Sequence, residues 1–149
     1  MSLTFHLECS VSCGRGPFDA AERHHLCACG RPLLARYDWP YIGKTWTRET
    51  LATAQSSMWR YAPALPLGPR DRPVTLGEGW TPLFPAPRLG AELGLKRLFI
   101  KDEALNPTNS FKARGMSAAV TRAHALGATT LAVPSAGNAA CSLAAYAAN

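Results

Sequence analysis

The decapeptide Asn106-Pro107-Thr108-Asn109-Ser110-Phe111-Lys112-Ala113-Arg114-Gly115 sets a turn and a helix in immediate succession. Pro107 and Asn109 mark the turn, Ser110 is placed to cap the helix, and Lys112 falls within its first turn. A lysine is awkward there, because the positive end of the helix dipole disfavours a cation by about 0.3–1 kcal/mol when exposed. A positive neighbour favours the neutral form of an amine, the form that attacks an aldehyde. A solvated lysine at a helix end is the alternative that local chemistry leaves open.

Outward from this stretch, residues 110–126 carry Met116, Val120 and Ala123 at i, i+4 and i+7, supported by Ala119 and Leu126. Gly127 is positioned to end that helix as a left-handed cap. Residues 129–133, Thr-Thr-Leu-Ala-Val, read as a strand, and an alanine-rich helix follows from Gly137. Upstream, residues 87–95 suggest a short helix and residues 97–103 a strand running into the turn. This strand, helix, strand, helix order predicts an α/β fold with a parallel sheet, flanking helices and right-handed crossovers. Ligands collect at the carboxyl ends of such strands, so Lys112 and the loop Ser135-Ala136-Gly137-Asn138 are expected on one rim. Free amides at the start of the second helix make an anion site there. Asn138 reads equally as an ordinary cap.

With Leu98-Phe99-Ile100-Lys101-Asp102-Glu103 ahead of it, the decapeptide resembles the cofactor-lysine segment K-x-E-x-x-N-P-T-x-S-F-K-x-R of threonine synthases and related pyridoxal-phosphate lyases, the tryptophan synthase β-like, fold type II family. The resemblance implies that Lys112 is the Schiff-base lysine and general acid/base. It also implies that Asn138 bonds the cofactor's ring hydroxyl and that Phe111 packs beside the ring. Ser135 and Gly137 become candidates for binding the substrate carboxylate. The implied reaction converts O-phosphohomoserine and water to threonine and phosphate, with pyridoxal 5'-phosphate as electron sink, in a homodimeric enzyme of amino-acid biosynthesis. Ala136 and Ala139 stand where the family usually has a hydroxyl and a threonine. A threonine or serine dehydratase, or a β-replacement enzyme, is therefore the alternative. The family's glycine-rich phosphate loop and the residue facing the pyridine nitrogen lie further downstream than Asn149. The chain is accordingly expected to be the N-terminal portion of a longer enzyme, binding the cofactor poorly and without turnover when isolated.

Leu76-Gly77-Glu78-Gly79-Trp80-Thr81-Pro82-Leu83 resembles the family's L-G-E-G-x-T-P-L strand. It reads as structural support lining the cleft, with Glu78 as a further candidate site residue. Met58-Trp59-Arg60-Tyr61 is likewise similar to a run that precedes the family's catalytic domain. Before it, residues 45–61 show a helical pattern through Thr47, Leu51, Ala54 and Met58, with Trp46, Trp59 and Tyr61 as packing anchors. Pro63, Pro66 and Pro69 mark a linker or extended arm. The division is then a cysteine-bearing module over 1–43, a helix and linker over 44–72, and the N-terminal part of the catalytic domain over 73–149.

Met1-Ser2-Leu3 reads as a remnant of expression, and residues 5–9 as a short alternating strand. Cys9, Cys13, Cys27 and Cys29 follow, with Gly14 and Gly30 after each pair. Two cysteine-glycine hairpins suit a tetrahedral thiolate site for zinc, because glycine lets backbone amides approach the sulfurs. The C-x-x-x-C and C-x-C spacings depart from the usual C-x-x-C knuckle, so reduced structural cysteines and disulfides remain competing readings. His24 and His25 lie beside Cys27 as substitute ligands or surface residues, while Cys141 falls in a separate helical segment. Cys27-Ala28-Cys29-Gly30-Arg31-Pro32-Leu33, followed by Tyr37-Asp38, is similar to a segment that begins many threonine synthase-like chains. That likeness implies an accessory appendage with no part in the chemistry.

The 149 residues are 47% apolar and 17% charged, near globular averages, and contain no apolar run long enough to span a bilayer. No signal-peptide pattern opens the chain, which gives a cytoplasmic reading. The net charge of +6 arises from scattered arginines without interleaved aromatics. That distribution argues against a dedicated nucleic-acid patch, and an excess of positive charge also suits an enzyme for phosphorylated, anionic small molecules. With the resemblance, the expected partner is a small-molecule amino-acid substrate, with no nucleic acid and, in the absence of an apolar span, no membrane. The rival from a different class is a non-catalytic zinc-binding interaction module, which predicts bound zinc and salt-dependent nucleic-acid affinity.

Overall fold

The computed structural model describes residues 3–149, so Met1-Ser2 and the reading attached to them lie outside the described residues. The expected first strand is present as β1, Phe5–Cys9, paired antiparallel with β2, Leu33–Tyr37, in a register that sets Phe5 opposite Tyr37 and Cys9 opposite Leu33. Leu7 also bridges Phe18, which draws the long inter-strand loop back against the hairpin. Phe5 is buried against Tyr37 with ring centroids 5.4 Å apart. Short helix α1, Trp39–Ile42, follows, its start held by Asp38 Oδ1 accepting the Tyr41 N–H at 3.0 Å.

The single helix expected over 45–61 is broken in two. Helix α2, Arg48–Ala52, opens on a reciprocal capping box between Thr47 and Thr50. It stops before Gln55-Ser56-Ser57, and Ser57 Oγ then accepts the N–H of Trp59 at the start of a 3-10 helix, Met58–Ala64. Serine side chains compete with the helix for backbone groups. The break turns Met58 and Trp59 inward, where both are buried.

In the C-terminal half, β3, Leu83–Pro85, and β4, Phe99–Lys101, form a second antiparallel pair around α3, Pro87–Glu92. The parallel sheet expected from the element order is not formed among the described residues. Gly94, at φ +68°, reverses the chain after α3, Leu95 N donates back to Gly90 O at 2.8 Å, and Phe99 returns alongside Pro85. Residues 129–133, expected as a strand, form no ladder here; a strand exists only by pairing, and no described segment pairs with it.

The longest elements are α4, Lys112–Ala125, and α5, Asn138–Ala147. Helix α4 buries Ala113, Ser117, Val120 and Thr121, an i, i+4, i+7, i+8 stripe. Ala113, Val120 and Tyr146 form the core, with Val74, Met116, Leu131 and Leu143 packed around them. Gly127 ends α4 at φ +75°, the left-handed cap expected of it. Thr108, just before α4, meets Ser142 in α5, and Glu78 joins Ser117 of α4 to Tyr146 at the end of α5. Contacts thus run in the same order along both helices, so their N-termini point the same way.

Candidate active site

The segment before α4 is built from two short turns. Asp102 caps the first, Glu103–Leu105, by accepting the Ala104 N–H at 3.0 Å. The second, Pro107–Asn109, carries two consecutive non-glycine residues in the left-handed region, Thr108 at φ +61° and Asn109 at φ +51°. That conformation costs a side-chain-bearing residue about 1–2 kcal/mol. Hydrogen bonds over-determine it: Thr108 Oγ1 lies 2.7 Å from Ser142 Oγ, and Asn109 N donates to Asn106 O at 2.9 Å. Buried Ser110 accepts the Lys112 N–H at 3.0 Å, the capping contact expected of it, although Phe111 is the residue flanking the helix.

Beneath the turn lies a polar network that the sequence motifs contained without assigning a role. Glu103 and Arg114 form a two-pronged ion pair, Nε to Oε2 at 2.6 Å and Nη2 to Oε1 at 2.8 Å. Thr81 Oγ1 donates to the same carboxylate at 2.7 Å, and Asn106 Nδ2 at 3.0 Å. Asn106 Oδ1 in turn accepts the Gly79 N–H at 3.0 Å, and Lys101 Nζ donates to the Thr81 carbonyl. The Arg114 guanidinium, with Thr81 and Asn106 adding to it, holds the Glu103 carboxyl down to about 2. The network pins the turn to the 79–81 segment and to α4 from below. Its sequence signal was the pair of opposite charges at Glu103 and Arg114 bracketing the turn.

Glu78 proves not to be a cleft residue. It is fully buried, and Trp59 Nε1 (2.7 Å), Ser117 Oγ (2.5 Å), Tyr146 OH (2.7 Å), Thr75 Oγ1 (3.0 Å) and Leu76 N (3.0 Å) all donate to its carboxylate. Burial alone raises its pKa, but the Ser117, Tyr146 and backbone donors outweigh it and hold the group below the usual value. Tyr146 is pushed the other way, by burial and by the facing Glu78. Close by, Gly79 sits at φ +93° where a Cβ would come within 2.4 Å of Met58 N, so only glycine fits.

The predicted site residues fall at and just before the starts of the two long helices. Lys112 is the first residue of α4, half-buried, and its Nζ makes no hydrogen bond or ion pair among the described residues. It lies 4.3 Å from the ring centroid of exposed Phe111. Asn138 is the first residue of α5, exposed, with its side-chain amide unengaged, and no side chain caps that helix. Ser135 Oγ accepts the Gly137 N–H at 3.2 Å, tightening the loop ahead of the uncapped amides. A free amine, a free amide and an uncapped helix start are a donor set that fits an aldehyde-bearing, anionic cofactor and a carboxylate substrate. The Sγ atoms of Cys9, Cys13, Cys27 and Cys29 lie elsewhere, all within 4.8 Å of one another. His24 instead bonds the Asp19 carbonyl, and Cys141 is exposed on α5.

Residues 74–149 match the family described as pyridoxal-phosphate dependent enzyme. The chain belongs to that family. Among curated members it is 41% identical to the threonine synthase of Methanocaldococcus jannaschii over 142 residues, 95% of this chain and 35% of that one. The threonine synthase of Methanosarcina acetivorans is also 41% identical, over 95% of this chain and 34% of its own. That of Mycobacterium leprae is 51% identical over 88 residues, 59% of this chain and 24% of its own. The chain therefore spans about a third of the first two relatives. No solved structure matches it. This pyridoxal-phosphate-dependent enzyme chain thus carries the lysine turn, Glu78 and α5 inside the matched segment, while Trp59 of the hub lies ahead of it.

Proposed function

We propose that this chain carries the reactive lysine of a threonine synthase-like lyase, which converts O-phosphohomoserine and water to threonine and phosphate. The observation that carries the reading is Lys112: an unpaired amine at the start of α4, presented by a left-handed turn that buried hydrogen bonds hold in place. The relatives at 41–51% identity support the substrate assignment.

Lys112 Nζ would hold the cofactor, and the same amine would take and return a proton at the substrate carbon. When bound, pyridoxal phosphate supplies an electron sink for the carbanion left by proton removal. The Asn138 amide would hydrogen-bond the cofactor ring, and exposed Phe111 would pack beside it. Ser135, Gly137 and the uncapped amides of α5 receive the substrate carboxylate, where the helix dipole favours negative charge. Glu103 and Arg114 touch neither partner; they keep the turn from relaxing when Lys112 is released.

The relatives are about three times as long, so turnover is assigned to the chain joined to further sequence. Exposed Leu83, Phe84, Phe99 and Ile100 on the β3–β4 pair are apolar surface suited to cover by such sequence, or by a second protomer of a homodimer. No helix among the described residues is long and apolar enough to cross a membrane; a cytoplasmic location belongs to the proposal. The test measures phosphate release from O-phosphohomoserine beside keto-acid release from threonine by the full-length protein. Phosphate release that Lys112→Ala abolishes supports the reading; keto acid without phosphate release assigns a dehydratase instead.

A further inference from the structure

The four thiols outside the active site are arranged as a ligand set. Cys9 Sγ lies 3.5 Å from Cys29 Sγ, and Cys13 Sγ lies 3.5 Å from Cys27 Sγ, with all four sulfurs within 4.8 Å of one another. Tetrahedral coordination with Zn–S bonds of about 2.3 Å sets sulfurs roughly 3.8 Å apart, inside that bracket. The two pairs arrive on separate hairpins, each turned by a glycine at φ +80°, Gly14 and Gly30.

The surrounding module has little else to hold it. Among described residues before Lys44, only Phe5, Cys9, Ala20, Cys27 and Ile42 are buried apolar side chains, and Cys13 and Cys29 are exposed although they converge. A core this small ordinarily needs a staple. The loop that the two pairs close, residues 14–26, is also the part that touches the lysine helix. Arg23 Nε donates to Leu126 O at 2.8 Å, at the carboxyl end of α4. Arg122 on α4 donates to the Ala20 carbonyl, pairs with Asp71 Oδ2 at 3.2 Å, and lies 5.7 Å from the Phe5 ring centroid.

We infer that Cys9, Cys13, Cys27 and Cys29 bind one structural zinc ion, and that the ion closes the 14–26 loop as a clamp on the carboxyl end of α4. All four tetrahedral positions are filled by protein sulfur, so the site is closed and has no position for substrate or water. Four thiolates with no nitrogen or oxygen ligand select zinc over harder cations, and iron is the competitor that must be tested. Binding displaces protons from the thiols and changes no oxidation state.

The test is carried out on the protein purified under reducing conditions, by elemental analysis and by titration of metal-free protein with cobalt(II) and then zinc(II). One zinc per chain is expected, with the visible bands of tetrahedral cobalt thiolate appearing on titration and vanishing as zinc displaces cobalt. Cys13→Ser and Cys29→Ser, at exposed positions, lower zinc affinity by more than about tenfold, whereas Cys141→Ser leaves it unchanged. Removing zinc with a chelator raises amide exchange in the 14–26 loop and in the last turn of α4. Absence of zinc with all thiols free, bound iron in its place, disulfides joining the pairs, or equal exchange with and without zinc each overturns the inference. The metal content of the unaltered protein decides the matter even if a serine variant fails to fold.

Discussion

Replacing Glu78 by glutamine removes a charge while keeping the side chain's shape, and the donors around the carboxylate determine the cost. Trp59 Nε1 donates to Oε1 at 2.7 Å and Leu76 N donates to Oε2 at 3.0 Å. Neither N–H can become an acceptor. The hydroxyls of Thr75, Ser117 and Tyr146 can rotate to accept, but whichever way the amide turns, its NH2 faces one of the two fixed donors, leaving either Leu76 N without an acceptor or Trp59 Nε1 with only its 3.1 Å bond to Ser117 Oγ. A buried donor left unsatisfied costs about 1–3 kcal/mol, and losing charge assistance at the remaining bonds costs about 1.5–3 kcal/mol. The neutral amide escapes the desolvation that burial imposes on a carboxylate, which offsets part of this. Glu78→Gln is therefore expected to lose about 3 kcal/mol, a large share of the roughly 5–15 kcal/mol that stabilises a domain. Urea unfolding followed by tryptophan fluorescence measures it, since Trp59 is part of the hub; the midpoint should fall with the slope unchanged. A loss below about 1 kcal/mol would refute the claim that two fixed donors require two acceptor oxygens.

Lys112→Ala should abolish cofactor absorbance and turnover in the full-length protein yet leave the unfolding midpoint within about 1 kcal/mol, because it removes an unpaired cation from a helix start. Glu103, held down to about 2 from an ordinary 4.5, contributes stability that is fully present above pH 4.5 and is lost as pH falls toward 2. Its side chain is 29% exposed, so the contribution is about 2 kcal/mol after allowance for screening, and Glu103→Gln should flatten the acid unfolding profile over that window. Gly79→Ala places a methyl within 2.4 Å of Met58 N at φ +93° and should cost more than about 2 kcal/mol by thermal unfolding; an unchanged melting point would contradict the packing described.

Local signals carried much of the C-terminal half. The helical spacing through Met116 and Val120 and the glycine at 127 mark α4 whatever surrounds it, because helix hydrogen bonds close within the segment. The buried stripe of Ala113, Ser117, Val120 and Thr121 is nevertheless turned from the expected one and leaves Ala119 exposed. The parallel sheet was not legible in the same way: residues 129–133 have strand composition, but a ladder depends on a partner that no local pattern supplies. The 45–61 helix failed at Ser56-Ser57 because the burial of Trp59 on Glu78, a contact nineteen residues away, outweighs helical periodicity. At the candidate site, Lys112 and Asn138 were visible as motif residues. The left-handed Thr108 and Asn109 were not, since nothing local favours that conformation at threonine, and it rests on Ser142 far along the chain.

The Glu78 hub also imposes a timetable on synthesis. Its donors are spread from Trp59 to Tyr146, so the carboxylate has no complete set of partners until α5 has left the ribosome. The β1–β2 ladder, by contrast, has all its pairing partners by Tyr37, although Arg122 and Leu126, which brace the module, come much later. The lysine turn, tied through Thr108 to Ser142, is likewise held only once α5 has emerged.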